Sequence, residues 1–192
     1  DGFDLGIGLA FPFLKTDACR DQAMNSVAPV WDGNATWLIY VGAVLFAGFP
    51  LAYSIILPAL YLPIMLMAAA FMFRGLAFEF RLKAKETRWI WDSAFALGST
   101  VAAFLQGAML GGVIEGFEVE NNRFAGNSMD WMSSFAMISG MALVMGYALL
   151  GAGWLVYKTK GSTHDWARQI MKPILVIVGF FLVIISINTP LE

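Results

Sequence analysis

Charged side chains are scarce in this sequence. Only 14% of its 192 residues are Asp, Glu, Lys or Arg, whereas 59% are hydrophobic. A soluble domain carries charged residues at about a quarter of its positions, so these few cannot cover the surface of a soluble globule. The hydrophobic residues also form long blocks rather than an amphipathic rhythm, and such blocks need a bilayer as their solvent. The composition therefore excludes a soluble protein.

Other shortages exclude further classes of protein. The formal net charge is −2, and Lys and Arg do not cluster on one side, which argues against a nucleic-acid partner. The single cysteine, Cys19, cannot form a disulfide within the chain, and we interpret it as a small residue in a loop. The single histidine, His164, stands in a charged segment beside Asp165. Neither a disulfide framework nor a cluster of metal ligands is present in the sequence.

Hydrophobic blocks of the right length predict membrane-spanning helices. The hydrocarbon core of a bilayer is about 30 Å thick, which requires roughly 20 apolar residues. No charged residue lies between Asp32 and Arg74, and this stretch is long enough for two helices. Pro50 marks the expected turn between them, because proline interrupts the hydrogen-bond ladder of a helix. Kinks are expected at Pro58 and Pro63. The predicted spans are residues 33–52, 54–77, 92–115, 131–157 and 173–189.

These spans predict an all-α fold, a polytopic transmembrane helix bundle. It would comprise about five full spans plus the end of another helix, over residues 1–14. No internal repeat divides the chain, so we expect one transmembrane domain over residues 1–192. Its first and last residues fall within or just beyond helical patterns, and we therefore expect it to be cropped at both ends.

Loop charges predict how the bundle is oriented. The segments 81–88 and 158–172 each hold four Lys or Arg residues, and two spans separate them, so they lie on one side. The positive-inside rule makes that side cytoplasmic. The loop 115–130 is acidic, as expected of the outer side, and the loop 15–31 then lies inside by parity.

An acid stands at the inner mouth of the first full span, in Trp31-Asp32-Gly33-Asn34. One interpretation is structural, with Asp32 as the helix N-cap, because a carboxylate accepts hydrogen bonds from the first free amides. The other is a proton-relay group, because carboxylates at membrane depth are costly and mark ion pathways. The residues alone favour neither interpretation, and the two are compatible. Asn34 and Trp37 accompany Asp32 in the candidate path.

Further polar residues lie near the spans. Asp1 and Asp4 are three residues apart and share a helix face, either as solvated acids at a helix end or around a polar feature. Arg74 and Glu79 lie where a helix leaves the membrane, which is typical of a snorkelling arginine with a nearby acid. Gln106 needs a partner in an apolar span and is a candidate lining residue of a polar channel.

The third full span carries a pattern of small residues. Gly107 and Gly111, and likewise Gly112 and Gly116, have the four-residue spacing that lets helices approach closely. Haem iron takes His, Met, Cys or Tyr as axial ligand, and His164 lies outside every predicted span. We therefore predict no catalytic residue, no cofactor site and no metal site in this chain.

Several motifs together resemble those of subunit II of the cytochrome bd quinol oxidases. They occur in family order over about residues 1–112, and Ala35 stands where the family usually has Glu or Gln. The residues that carry the resemblance are Asp1–Gly6, Asn25–Asn34, Phe46–Pro50, Arg74–Arg81, and Gly98-Ser99 with Gln106-Gly107.

The resemblance implies about eight helices in two four-helix bundles, paired with a similarly built subunit I. That partner would carry two b-type haems, a d-type haem and the quinol-oxidation loop, in a complex of the bacterial cytoplasmic membrane that oxidises quinol and reduces dioxygen to water. Asp32 would belong to a cytoplasmic proton path. Lipid surrounds such a subunit, and a small accessory subunit and a bound quinone are compatible with it.

Two rival functions are consistent with the residues themselves. A stand-alone secondary transporter or channel would use Asp4, Asp32, Arg74 and Gln106 beside broken helices. A structural assembly factor would stabilise a partner and contribute no group to its reaction. Substitution of Asp32 by Asn separates a relay from a scaffold.

Overall fold

The computed structural model describes residues 2–84 and 86–189, which lie almost entirely in eight α-helices. A two-stranded hairpin, β1 (Val119–Glu120) with β2 (Arg123–Phe124), joins α6 to α7. The predicted all-α membrane bundle is confirmed. The helices are α1 (Gly2–Ala10), α2 (Asp17–Val27), α3 (Trp31–Gly48), α4 (Pro50–Ala59), α5 (Tyr61–Phe80), α6 (Arg88–Glu115), α7 (Ser134–Lys158) and α8 (Ser162–Asn188).

Four of these helices, α5 to α8, are long and apolar enough to cross a membrane. They correspond to the last four predicted spans. The first predicted span, 33–52, falls on α3 and the start of α4, with the break at Phe49, next to Pro50 as expected. Helix α3 is 18 residues long and is not among the four, because Asp32 and Asn34 lie in its first turns.

The predicted span 54–77 is wrong in its bounds. Helix α4 ends at Ala59 and α5 begins at Tyr61, with Leu60 outside the helical region at φ −105° and ψ 14°. The cause is the pair Pro58 and Pro63, since neither can donate a backbone hydrogen bond to the carbonyl four residues earlier. Two prolines five residues apart therefore break the helix where a kink was expected.

Helix α8 also differs from its prediction. It begins at Ser162, eleven residues before the predicted span 173–189, and runs through Pro173. The segment 158–172, expected as a loop, is thus mostly helical. The first turns of α8 carry charged residues, which is why hydropathy alone placed its start too late.

Helix α6 lies at the centre of the bundle, against α1, α5 and α7. A Cβ at Gly107 would lie 2.6 Å from the Ser139 carbonyl oxygen, and one at Gly111 would lie 2.6 Å from the Cα of Ala136. This half of the small-residue pattern therefore brings α6 and α7 together as predicted. Gly112 has more room, and Gly116 follows the end of α6 at φ +83°.

Three segments predicted to share one side of the membrane meet at one end of the bundle. Arg81, after α5, forms an ion pair with Asp21 of α2. Gln22 of α2 donates a hydrogen bond to the carbonyl of Lys160, before α8, at 3.5 Å. We call this end of the bundle the α2 end.

Candidate functional site

The interior of the bundle contains a buried ion pair. Arg74 of α5 donates through Nη2 to Oδ1 of Asp4 on α1, and each residue is 1% exposed. Breaking such a pair leaves an uncompensated buried charge, which destabilises a protein by about 3–5 kcal/mol. In a membrane bundle, charges at this depth mark ion or proton pathways. The pair is the first element of the candidate site.

Ser99 of α6 completes the surroundings of Arg74. Its hydroxyl accepts a hydrogen bond from Arg74 Nε at 3.1 Å, and Ser99 is fully buried. A Cβ at Gly8 would overlap this hydroxyl, and a Cβ at Gly98 would lie 2.6 Å from the carbonyl oxygen of Ala70. The two glycines therefore let α1, α5 and α6 approach closely enough to enclose the charges.

Asn34 connects the ion pair to α3. Its Nδ2 donates to Asp4 Oδ2 at 3.4 Å, and its side chain is half-buried. Asp4, Arg74 and Asn34 were predicted as site residues on separate grounds, and the structure places them in one hydrogen-bonded group. Asp1, their predicted companion, lies outside the described residues.

Asp32 lies in the first turn of α3 and is exposed. The N-cap of this helix is Val30, without a side-chain capping bond, so the interpretation of Asp32 as an N-cap is wrong. Among residues 2–84 and 86–189, the Asp32 carboxylate has no hydrogen bond or ion pair, and its carbonyl accepts from Thr36 at 2.9 Å. Trp37 is 67% exposed and contacts Tyr40 edge to face.

Two predicted lining residues lie apart from this group. Glu79 is exposed and pairs with Lys83 at 3.8 Å on the surface. Gln106 accepts a hydrogen bond from the Tyr147 hydroxyl at 3.0 Å, which provides the partner it requires within the bundle. Neither contacts Asp4 or Arg74 in the described part of the chain.

A second charged cluster, at the α2 end, was not predicted. Arg81 is fully buried and pairs with Asp21 and Asp92, while Arg20 binds Asp92 at 3.2 Å. Arg88 also pairs with Asp21. Burial alone would raise the pKa of Asp21, but hydrogen bonds from Arg81 and Arg88 outweigh it and hold that pKa below its usual range. The sequence signal for this cluster is the spacing on α2: Arg20 and Asp21 follow Asp17 by three and four residues and therefore share a helix face with it.

Cys19 is not a loop residue, contrary to expectation. It lies in the first turn of α2, where Thr16 is the N-cap and donates to its Sγ at 3.1 Å. The Ser162 hydroxyl, at the start of α8, lies 3.4 Å from the same sulfur. Hydrogen bonds from Ser162 and Thr16 are the largest causes that outweigh burial and lower the pKa of Cys19 from 9.0 to about 7.

The single histidine lies away from the buried polar group. His164 Nδ1 lies 3.1 Å from the carbonyl oxygen of Val156, at the α2 end rather than among the buried helices. In the ranges 2–84 and 86–189, no three His, Cys, Asp or Glu side chains are grouped to hold a metal ion. The buried polar group is instead an acid, a guanidinium, a hydroxyl and an amide, which can hold charge and pass hydrogen bonds.

Known proteins are similar to this sequence over most of its length. The family described as cytochrome bd terminal oxidase subunit II matches residues 1–191. Cytochrome bd-I ubiquinol oxidase subunit 2 of Escherichia coli (strain K12) is 35% identical over 172 residues, which are 85% of this chain and 45% of that protein. Cytochrome bd ubiquinol oxidase subunit 2 of Bacillus subtilis (strain 168) is 28% identical, over 93% of this chain and 54% of that protein.

A third relative, the probable cytochrome oxidase subunit 2 of Haemophilus influenzae, is 30% identical over 95% of this chain and 51% of its own length. The chain thus spans about half the length of the curated relatives it matches. The family match covers both the buried ion pair and the α2 end. This chain belongs to the cytochrome bd terminal oxidase subunit II family.

Proposed function

We propose that this chain is part of a haem-free subunit of a quinol:oxygen oxidoreductase that contributes a proton uptake path to its partner. The observation that carries the proposal is the buried Asp4–Arg74 pair, joined by Asn34 to α3, the helix whose first turn holds Asp32. An exposed acid at the start of α3 can collect protons, and Asn34, two residues further, contacts the buried acid. In this proposal the α2 end faces the cytoplasm of a bacterium, in accord with its excess of Lys and Arg in the sequence.

Helix α3 supports the presence of a protein partner. No residue of α3 is buried within the described chain, and its large apolar side chains include Trp37 at 67% and Ile39 at 75% exposure. Lipid alone is a poor neighbour for Asp32 and Asn34, because polar groups in hydrocarbon need partners. A similarly built subunit I could cover this face and receive the proton.

The haem groups are assigned to that partner. The Escherichia coli relative is named a ubiquinol oxidase subunit, which implies a complex that oxidises quinol. Haems b and d in subunit I would supply electron transfer and dioxygen reduction to water. The present chain would then hold the partner in place and position the acids and amide of the proton path.

The first experiment replaces one carboxylate in the complete oxidase. Asp32→Asn keeps the size of the side chain but removes its exchangeable charge, so we expect oxygen consumption with quinol to fall at least about tenfold, since a positioned proton-transfer group contributes about 10²–10⁴-fold. Haem absorbance and co-purification with subunit I should stay unchanged. Glu79→Gln is the matched control, because Glu79 is an exposed acid that pairs with Lys83 on the surface.

Two outcomes decide between the proposal and a pure scaffold. Normal turnover of assembled Asp32→Asn oxidase would mean that the subunit contributes no proton path through this acid. An equal loss in Glu79→Gln would assign the effect to surface charge in general. Transport by this chain alone in proteoliposomes, without subunit I, would favour a transporter instead.

A further inference from the structure

Two polar layers and one apolar layer follow each other along the bundle interior. Arg74 of α5 and Arg81, the residue that directly follows α5, are seven residues apart, and on α6 Asp92 and Ser99 have the same spacing. Seven residues of α-helix rise roughly 10 Å, or about two turns. The charged cluster at the α2 end and the group around Asp4 are therefore separated by one intermediate turn on each helix.

Three phenylalanines occupy that intermediate turn. We call Phe11, Phe78 and Phe95 the ring layer; they come from the segment after α1, from α5 and from α6. Phe95 is fully buried, Phe11 is 1% exposed and Phe78 is 9% exposed. The Phe95 ring meets Phe11 edge to face at 4.9 Å between centroids and Phe78 at 5.2 Å. Such contacts fill the space between α5, α6 and the segment after α1 with side chains that neither donate nor accept ordinary hydrogen bonds.

The buried arginines hold the ring layer from both sides. The guanidinium carbon of Arg74 lies 5.2 Å from the centroid of Phe78 and 5.3 Å from that of Phe95. The guanidinium carbon of Arg81 lies 5.1 Å from the centroid of Phe11. Cations within about 6 Å of an aromatic face are attracted to it, so the charges order the rings rather than push them apart.

Helix α3 adds a fourth ring at the edge of this layer. Trp31 stacks on Phe78 with a centroid distance of 4.8 Å and an angle of 7° between the ring planes. Beyond Trp31 along α3, Asn34 contacts Asp4. The group around Asp4 thus meets a polar side chain, Asn34, on the side that faces α3. On the side that faces the α2 end it meets the apolar ring layer.

We propose that the ring layer is a barrier that keeps water and protons of the α2 end from reaching Asp4 through the bundle interior. Proton movement requires a chain of water or polar groups, and the ring layer interrupts it over one helical turn. Asp4 then exchanges protons from the α3 side, past Asn34. This inference rests on the proposed function for its catalytic consequence, whereas the barrier itself is a property of the bundle.

The barrier can be tested with a thiol on its far side. In the complete oxidase, Cys19→Ser removes the natural cysteine of this segment and Ser99→Cys places a probe beside Arg74. Inverted membrane vesicles are treated with a small, water-soluble methanethiosulfonate, and labelling is followed on the peptide that contains residue 99. A second probe, Ser93→Cys, lies on the exposed part of α6 near the α2 end and reports free access.

We expect the probe at residue 99 to label slowly and to accelerate when the layer is opened. Phe95→Ala should raise the rate at least about tenfold, because labelling of a packed site needs a local opening that the substitution makes more frequent. Phe95→Leu, which stays large and apolar, should restore slow labelling. Phe104→Ala, a half-buried ring of the same helix beyond the ion pair, should leave the rate within about twofold of the unsubstituted layer.

Three results overturn the barrier. The first is labelling at residue 99 that is as fast as at residue 93 while all three rings are present. The second is a labelling rate at residue 99 that does not rise in Phe95→Ala. The third is a rate that rises as much in Phe104→Ala as in Phe95→Ala. If Phe95→Ala oxidase does not assemble, Phe78→Ala replaces it, because Phe78 is the most exposed of the three rings and its loss perturbs the core least. The same criteria then apply to that variant.

A functional readout separates the barrier from the proposed proton path. Adding Phe95→Ala to Asp32→Asn should recover part of the lost turnover, since a second route to Asp4 opens, while Phe95→Leu should not. Absence of recovery in assembled oxidase whose residue 99 labels rapidly would contradict the catalytic consequence. Full turnover in Asp32→Asn alone would refute the proposed path, and the labelling rates would still decide the barrier.

Discussion

At the scale of single residues, the site depends on charges that are paired rather than free. Asp4 and Arg74 are each 1% exposed and satisfy one another. The sequence identifies both as candidate polar residues but does not predict their contact. Residues 11–60 lie between the end of α1 and the start of α5, and helical periodicity reports only neighbours on one helix. Ser99 belongs to one of the motifs that carry the resemblance, but its contact with Arg74 could not be predicted, since a serine in an apolar helix is common.

The ion pair can be separated from the proton path by a double substitution. Asp4→Leu leaves Arg74 buried and unpaired, so we expect a loss of about 3–5 kcal/mol and little assembled oxidase. Adding Arg74→Met replaces both charges by apolar groups, which should restore assembly but not turnover. The measurements are the yield of haem-containing complex and its oxygen consumption. Recovery of both would make the pair purely structural.

The thiol of Cys19 should ionise unusually easily. Hydrogen bonds from Ser162 and Thr16 lower its pKa to about 7, and it lines a cavity of about 310 Å³ together with Lys15 and Asp165. The rate of alkylation of the intact oxidase by iodoacetamide should therefore rise with pH to a midpoint near 7, since the thiolate is the reactive form.

Removal of one hydroxyl tests the cause of that shift. Ser162→Ala should move the alkylation midpoint of Cys19 upward, and Ser93→Ala, an exposed serine of α6, should not. A midpoint at the ordinary thiol value in the unsubstituted protein would contradict the hydrogen-bond arrangement at the start of α2.

At the scale of helices, small residues decide which elements can enclose the charges. The sequence predicted close packing at Gly107 and Gly111, and the structure confirms it against α7. The equally important approach of α1 to α6 at Gly8 depends on Ser99, a partner that the sequence could not identify because it lies on another helix. The break at Leu60 was missed for a different reason: hydropathy is continuous there, and only the loss of backbone donors at Pro58 and Pro63 stops the helix.

A methyl group at Gly8 should force α1 away from α6. Its Cβ would overlap the Ser99 hydroxyl, so Gly8→Ala should destabilise the subunit by about 1–3 kcal/mol through overpacking. Gly153→Ala is the matched control on α7, where nothing lies within 4 Å of the added carbon. The midpoint of thermal unfolding of the purified oxidase should fall in the first variant only. Equal midpoints would show that α1 and α6 are less closely packed than described.

At the scale of the whole molecule, the bundle has a packed interior and, on α3, an exposed face. Helix α6 lies against α1, α5 and α7, whereas α3 has no buried residue within the described chain. The sequence predicted the membrane bundle and the end at which the basic loops meet, because hydropathy and loop charge are properties of whole segments. It did not predict the charged cluster around Arg81, because loop charges indicate on which side a segment lies and not which side chains of different segments pair.

The exposed face and the buried pair together make α3 the element through which this subunit is proposed to act. Proton uptake during a single turnover tests this most directly. Reduced oxidase is mixed with dioxygen, and a pH-sensitive dye follows protons leaving the medium. We predict uptake that is at least about tenfold slower in Asp32→Asn than in Glu79→Gln, with unchanged haem content. Uptake at the same rate in both variants would contradict the account.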